Sequence, residues 1–277
     1  MSKQGLRYWL ITNIPSPILK IIVKIKGGGS LRKPRHSSSK NKNVVPCTIA
    51  CNSNGAFCTP DSCREDTPVQ AIYRGEQYEN LTLDFIKSLK LTGDIIHAGA
   101  YFGDSLPCLG DSILPKNKIW AFEPNPESFR CAQITILLNR LDEKIELFNH
   151  GLGDTDEVVN LQINSSDNQK KLGGTTRIVS NQNIGTTEIS IKKLDDVIPH
   201  NRQVSLIHLD VEGYEEKVLK GASDLIEKYK PLVILEVSKN IEDTLAMMNK
   251  LGYEMIQSLE MRDWGQGIRN AVFKAIG

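Results

Sequence analysis

One acid and a glycine-bordered turn hold the residue types that grip a nucleoside. Asp94-Ile95-Ile96-His97-Ala98 is a short apolar run that breaks at Gly99 and again at Gly103. About 20 residues further on, Ile119-Trp120-Ala121-Phe122 ends in Glu123. Strand, glycine turn, helix, strand, acid is the order in which a doubly wound sheet binds a nucleoside: the turn brings backbone close, and the acid takes the ribose hydroxyls. Dinucleotide sites carry a middle glycine so that the main chain can approach a pyrophosphate. Here the spacing is Gly99-x-x-x-Gly103 with no middle glycine. A ligand without phosphates, such as S-adenosylmethionine, needs no such approach.

These residues require a parallel sheet to gather them. From Asp94 onward, apolar runs alternate with helical patterns, the signature of a sheet covered on both faces. The pattern predicts strands at 94–98, 118–122, 144–149, 204–209 and 231–236, and helices near 104–112, 126–140, 214–229 and 240–251. Residues 158–163 and 187–192 alternate with period two around Gly173-Gly174-Thr175-Thr176. They predict an antiparallel insertion placed to roof a pocket. Two further strands, near 253–257 and 270–275, are too close for a crossover helix, so the last should run antiparallel. The expected fold is α/β: a Rossmann-like, seven-stranded sheet with one antiparallel strand, as in class I methyltransferases, plus a basic N-terminal extension.

Ligands of such sheets sit beyond the carboxyl ends of the strands. The candidates there are His97 to Asp104, then Glu123-Pro124-Asn125, then Asn149 to Asp154, then Asp210 to Glu215, and Glu236. Each also has a plainer role. Asp210 can cap the following helix, and Glu212 and Glu215 suit that helix's N-terminus. His208, inside a strand, reads as a satisfied core histidine.

The chain of 277 residues is 40% hydrophobic and 24% charged, a composition that supports a sizeable core. Its net charge of +1 conceals an asymmetry. Residues 1–60 hold ten Lys or Arg and no Asp or Glu, leaving 24 basic against 33 acidic side chains in the remainder. That remainder is a poor surface for nucleic acid. Three divisions follow: a basic tail and linker over 1–60, a lead-in helix region over 61–92, and the catalytic domain over 93–277. In the tail, Ser16-Pro17 and Gly27-Gly28-Gly29 bracket an apolar stretch with Lys20 and Lys24 one turn apart. It reads as a basic amphipathic helix on an anionic membrane surface, as an organellar presequence, or as a segment packed on the body. The expected location is cytoplasmic, with peripheral membrane contact through this segment. Residues 27–46 read as a flexible linker.

Cys47, Cys51, Cys58 and Cys63 lack the tight C-x2-C pair common in zinc sites, so they read as reduced thiols. No metal is assigned, although Asp210 with Glu212 could hold a divalent ion.

The segments His97-Ala-Gly-Ala-Tyr-Phe-Gly-Asp104, Ala121-Phe-Glu-Pro-Asn-Pro126 and Leu209-Asp-Val-Glu-Gly-Tyr-Glu215 together resemble the FkbM family of S-adenosylmethionine-dependent methyltransferases. Thr67 to Ile72, Gly75 and Tyr78-Glu79 fit as well, and the match spans roughly 60 to 276. The resemblance implies a class I methyltransferase fold and methyl transfer, usually to a hydroxyl of a sugar or secondary metabolite. It carries the glycine turn to Gly99 and Gly103, the ribose acid to Glu123 and the fourth-strand acid to Asp210. His97 departs from the acid that many members hold near the methionine end of the cofactor.

The expected S-adenosylmethionine contacts are His97, Gly99, Ala100, Tyr101, Gly103, Asp104, Glu123, Pro124, Asn125, Gly151, Leu152 and Asp210. Asp210 is expected to orient cofactor or acceptor, with Glu212 or His150 taking the proton from a small-molecule or glycan hydroxyl. The competing readings are an NAD-dependent oxidoreductase and a non-catalytic Rossmann-like binding module.

Overall fold

A computed structural model describes residues 45–165, 171–180, 185–237, 241–259 and 270–277. The amphipathic segment near 8–25, most of the 27–46 linker and the Trp264 loop lie outside the described residues.

The chain enters through a hairpin, β1 (Cys47–Asn52) and β2 (Gly55–Pro60), where the sequence reading placed only tail and linker. Asn52 Oδ1 accepts from the Asn54 N–H at 2.8 Å, closing the turn. The hairpin is then fastened to the body by groups distant in sequence. The Ala56 N–H donates to Asn139 Oδ1 at 3.0 Å, and Asn139 Nδ2 donates back to the Ala56 carbonyl at 2.7 Å. Phe57 and Cys58 bury beneath it with Val69, Ile72, Phe102 and Cys131. All six cysteines are free thiols, and only Cys51 is exposed.

Helices α1 (Thr67–Tyr73) and α2 (Asn80–Ser88) lead to β3 (Asp94–Ala98), α3 (Leu106–Ser112), β4 (Ile119–Phe122), α4 (Pro126–Leu138) and β5 (Ile145–Phe148). An insertion follows: β6 (Gly151–Leu152), β7 (Glu157–Gln162), β8 (Arg177–Val179) and β9 (Thr186–Lys192). Helix α5 (Leu194–Val197), β10 (Val204–Leu209), α6 (Glu215–Lys220), α7 (Ser223–Tyr229), β11 (Leu232–Glu236), α8 (Ile241–Lys250), β12 (Tyr253–Ser258) and β13 (Asn270–Ala275) complete the chain.

The main sheet has seven strands in the order β12-β13-β11-β10-β3-β4-β5. All neighbours are parallel except β13, which runs antiparallel to β11 and to β12. This is the expected single reversal. Successive residues of a strand point to opposite faces, so each central strand feeds two cores. Ile96, Ala98, Ile207 and Leu209 join the core under α6, α7 and α8. Ile95 and Leu206 join the one that includes Leu83 and Ile86 of α2 and Leu106 and Leu109 of α3. By the same alternation, His97 and His208 fall on the face of Ile95 and Leu206. Each fully buried Ile or Leu side chain contributes roughly 1.5–3 kcal/mol.

The helix expected over 214–229 is two helices, broken at Gly221-Ala222. A Cβ on Gly221 would lie 1.9 Å from the Gly153 carbonyl oxygen. The break lets the chain pass against the loop after β6, a requirement no local pattern reveals. The insertion forms a separate four-stranded sheet, β6-β9-β7-β8, with β7 and β9 antiparallel as the alternation predicted.

Candidate active site

The strand tips of β3, β4 and β10 open into a cavity of about 460 Å³, within the size range of small-molecule sites. Its floor is the turn after β3. Gly99 takes φ +90, and a Cβ there would meet the Asp210 carbonyl oxygen at 1.9 Å. Gly99 therefore serves close approach between the tips of β3 and β10, in addition to lining the cavity. Gly103, at φ +84, packs against Leu106 and Thr135 and is off the lining.

Between the glycines stands Tyr101, a non-glycine residue with φ 46. Such a conformation is unfavourable for a bulky residue, and three contacts hold it. Its N–H donates to Glu123 Oε2 at 2.7 Å, its hydroxyl donates to Asp66 Oδ2 at 2.8 Å, and its ring packs on Phe102.

Glu123 leaves the end of β4 and is 5% exposed. Its other oxygen, Oε1, accepts from the Asn125 N–H at 2.7 Å. Two backbone donors thus fix the carboxyl at the cavity wall, each oxygen retaining a lone pair. Burial nevertheless wins over these bonds and pushes its pKa up to about 8. Asp104, also on the wall, is raised to about 7 by burial and by the Glu79 carboxylate. Asp210 is held well above the ordinary carboxylate range by burial, by Glu236 and by Glu79. Among the described residues, no ion pair reaches Asp104, Glu123 or Asp210.

The roof comes from the insertion and the lead-in. Leu172 to Ile178 line the cavity from above, as the position of the insertion suggested. Gly173 meets the lead-in so closely that a Cβ would lie 1.8 Å from Asp66 Oδ2 and 2.7 Å from the Tyr101 hydroxyl. Gly174 lies over the Tyr101 ring. The basic side chains on the lining, Lys171 and Arg177, belong to this roof. Lys171 also pairs with Glu127 at 3.4 Å.

Of the sequence-predicted residues, the structure brings His97, Gly99, Tyr101, Asp104, Glu123, Pro124, Gly151, Leu152, Asp210 and Glu212 onto one cavity. It leaves Ala100, Gly103, Asn125 and His150 off that lining. Ala100 is buried in the core with Ile95 and Leu106. Asn125 caps α4, its side chain accepting from the Glu127 N–H at 3.0 Å. His150 packs its ring against Phe122 and Phe148, with Nδ1 3.1 Å from the Gly151 carbonyl oxygen. The helix after Asp210 carries no side-chain cap. Instead, Glu215 reaches back to the Gly213 N–H at 3.0 Å.

Three features escaped the sequence reading. His208 is not a satisfied core histidine. Its Nδ1 lies 3.1 Å from His97 Nδ1, but its Nε2 has no hydrogen-bond partner among the described residues, and the ring lines the cavity. His97 is bonded at both nitrogens, with Ser105 Oγ 2.8 Å from Nε2. Burial lowers both histidines' pKa values, His208 to about 4. Glu79 and Asp66 of the lead-in also line the cavity. Tyr78-Glu79 was visible as part of a motif, but its place 15 residues before β3 gave no hint of contact. Glu79 is placed by a long-range bond, Asn270 Nδ2 donating to Oε2 at 3.1 Å.

Residues 97–259 match the family model described as the methyltransferase FkbM domain. A search of curated proteins returned no match. Among solved structures, a methyltransferase FkbM from Methylobacillus flagellatus KT is 18% identical at a TM-score of 0.49. The alignment covers 68% of this chain and 45% of that one. A SAM-dependent O-methyltransferase from Thermotoga maritima is 14% identical at 0.47, covering 84% and 79%. A putative rRNA methylase from Clostridium thermocellum is 11% identical at 0.46, covering 72% and 95%. The chain thus spans less than half the length of its Methylobacillus counterpart.

Proposed function

Because the chain belongs to the FkbM methyltransferase family, we propose that it transfers the methyl group of S-adenosylmethionine to a hydroxyl oxygen of a sugar, glycan or secondary metabolite. The observation that carries the cofactor part is Glu123. It is a buried carboxyl at a strand tip, anchored by the Tyr101 and Asn125 N–H groups, with acceptor capacity left for a ribose diol. The charge of the cavity supports the same ligand. Asp104, Glu79 and Asp210 face a space where a sulfonium and an ammonium are welcome and a pyrophosphate is not. His97, neutral and bonded at both nitrogens, offers no charge to the ammonium. Glu79 and Asp104 supply carboxylates beside it.

S-Adenosylmethionine brings an activated methyl group and a neutral leaving group. The residues of this chain have to align the acceptor and exclude water. Gly173 and Gly174, seated on Tyr101 and Asp66, close the cavity from above. The acceptor oxygen attacks the methyl carbon as the carbon–sulfur bond breaks, and adenosylhomocysteine leaves. The hydroxyl proton passes to a base at the tip of β10, where Asp210 and Glu212 line the cavity. His150, off the lining, is the weaker of the two bases weighed from sequence. The peripheral membrane contact and cytoplasmic location remain part of the proposal for the basic segment of residues 1–60.

Calorimetry with adenosylhomocysteine and, separately, with NADH tests the cofactor. Heat for the first that Glu123→Gln removes supports the reading; saturable binding of NADH instead would replace it with an oxidoreductase.

A further inference from the structure

The tips of β10 and β11 carry three carboxylates, more than a single general base for methyl transfer requires. One oxygen from each of Asp210, Glu212 and Glu236 lies within 4.8 Å of the others. A cation with oxygen ligands at about 2.1 Å holds those oxygens roughly 3 to 4.2 Å apart, so carboxylate oxygens within 4.8 Å of one another need only a small side-chain adjustment to coordinate it. Asp210 and Glu212 line the cavity, and Glu236 comes from the neighbouring strand.

A second, independent observation lies on the same wall. His208 is 3% exposed, lines the cavity two residues before Asp210, and leaves Nε2 without a partner among the described residues. A buried polar nitrogen left unbonded costs about 1–3 kcal/mol. The Ser105–His97–His208 chain can be written with its protons in either direction. In both, the open end is His208 Nε2 at the cavity.

We propose that Asp210, Glu212 and Glu236 bind a hard divalent cation of the Mg²⁺ or Mn²⁺ class, with His208 Nε2 hydrogen-bonded to an oxygen that the ion carries. All-oxygen donors select such ions over softer ones. The imidazole acts through that oxygen and is a positioning group. Whether the ion binds is independent of the methyl-transfer reading. What it does rests on that reading: at the tip of β10 it orients an acceptor through its oxygen atoms and makes the hydroxyl more acidic.

The test is Mn²⁺ titration of the full chain, followed by the electron paramagnetic resonance of the free ion and by calorimetry, with Mg²⁺ as competitor. We expect one saturable site, displaced by Mg²⁺. Asp210→Asn and Glu236→Gln should weaken it by at least tenfold, and His208→Gln by about tenfold. Circular dichroism and thermal melting check that each variant is folded. Glu123→Gln should weaken adenosylhomocysteine binding about thirtyfold and leave the Mn²⁺ titration unchanged, which separates failure of the cation site from failure of the cofactor reading. No saturable Mn²⁺ site in the wild-type chain, or an unaltered site in folded Asp210→Asn, overturns the proposal.

Discussion

The two ends of β3 treat buried carboxyls in opposite ways, although they lie only ~13 Å apart. At the start of the strand, Asp94 is saturated. Trp120 Nε1 and Arg202 Nε each donate to Oδ2 at 2.7 Å, while Arg202 Nη2 and the Lys118 N–H donate to Oδ1 at 2.5 and 2.9 Å. Beyond the end of the strand, buried Glu123 and half-buried Asp104 and Asp210 have desolvation and neighbouring carboxylates (Asp104 for Glu123, Glu79 for Asp104, Glu236 and Glu79 for Asp210) to contend with, and their pKa values rise. A carboxyl that completes its own hydrogen bonds is part of the framework. A group of carboxyls that folding leaves mutually repelled, around a cavity, is arranged for something that arrives later. The difference follows from sheet geometry, since open α/β sheets bind ligands at the carboxyl end.

The sharpest way to test the contrast is to disturb the floor that joins the two tips. Gly99→Ala puts a Cβ against the Asp210 carbonyl oxygen at a φ of +90. We expect a loss of at least about 3 kcal/mol in urea denaturation. Asp94→Ala strands the Arg202 guanidinium and the buried Trp120 N–H, and should cost about 3 kcal/mol. Adenosylhomocysteine affinity, measured well below the midpoint, should hold in that variant. If Asp94→Ala instead lost affinity as strongly as stability, the division between framework end and binding end would fail.

Glu123→Gln is the mirror experiment. Affinity should fall about thirtyfold, equivalent to ~2 kcal/mol for a charge-assisted bond to ribose, with the melting temperature unchanged or raised. The pH dependence of the ligand-free chain sharpens the same point. Raised carboxyl pKa values give stability that is full below the unfolded values and lost as pH climbs through about 7 for Asp104 and about 8 for Glu123. Lowered histidine values act in the opposite sense: the His208 contribution is full above about 6.5 and lost as pH falls towards about 4, and His97 acts in the same direction. From pH 6.5 to 8 the carboxyl loss is therefore unopposed, and melting temperature should decline there, less steeply in Glu123→Gln. A flat profile in both proteins would mean that Glu123 is already ionised.

The smallest effect belongs to Tyr101→Phe, which removes the hydroxyl bond to Asp66. About 1 kcal/mol of stability should go, together with a faster exchange of amide protons in the Gly173-Gly174 segment that rests on this pair.

Local chemistry in the chain was enough to place β3, β4, β5, β10 and β11 within a residue or two, because each is a mainly apolar run ended by a glycine, an acid or, for β5, Asn149. The reversed strand was legible too, since 253–257 and 270–275 leave no room for a crossover. Glu123 and Asp210 could be picked out because strand tips of a parallel sheet gather on one edge, and that rule needs only the strand assignments. Other features depended on groups far apart in sequence. Nothing near residue 47 announces a hairpin held by Asn139, and nothing near Gly221 announces a carbonyl at Gly153. His208 was read as core because its strand is buried. Only the pairing of β3 with β10 sets it against His97 and leaves its second nitrogen open. Periodicity is a property of neighbours along the chain, so it reports which face a residue takes. What that residue then meets is decided by elements packed from elsewhere, and the lining of this cavity is assembled almost wholly from such meetings.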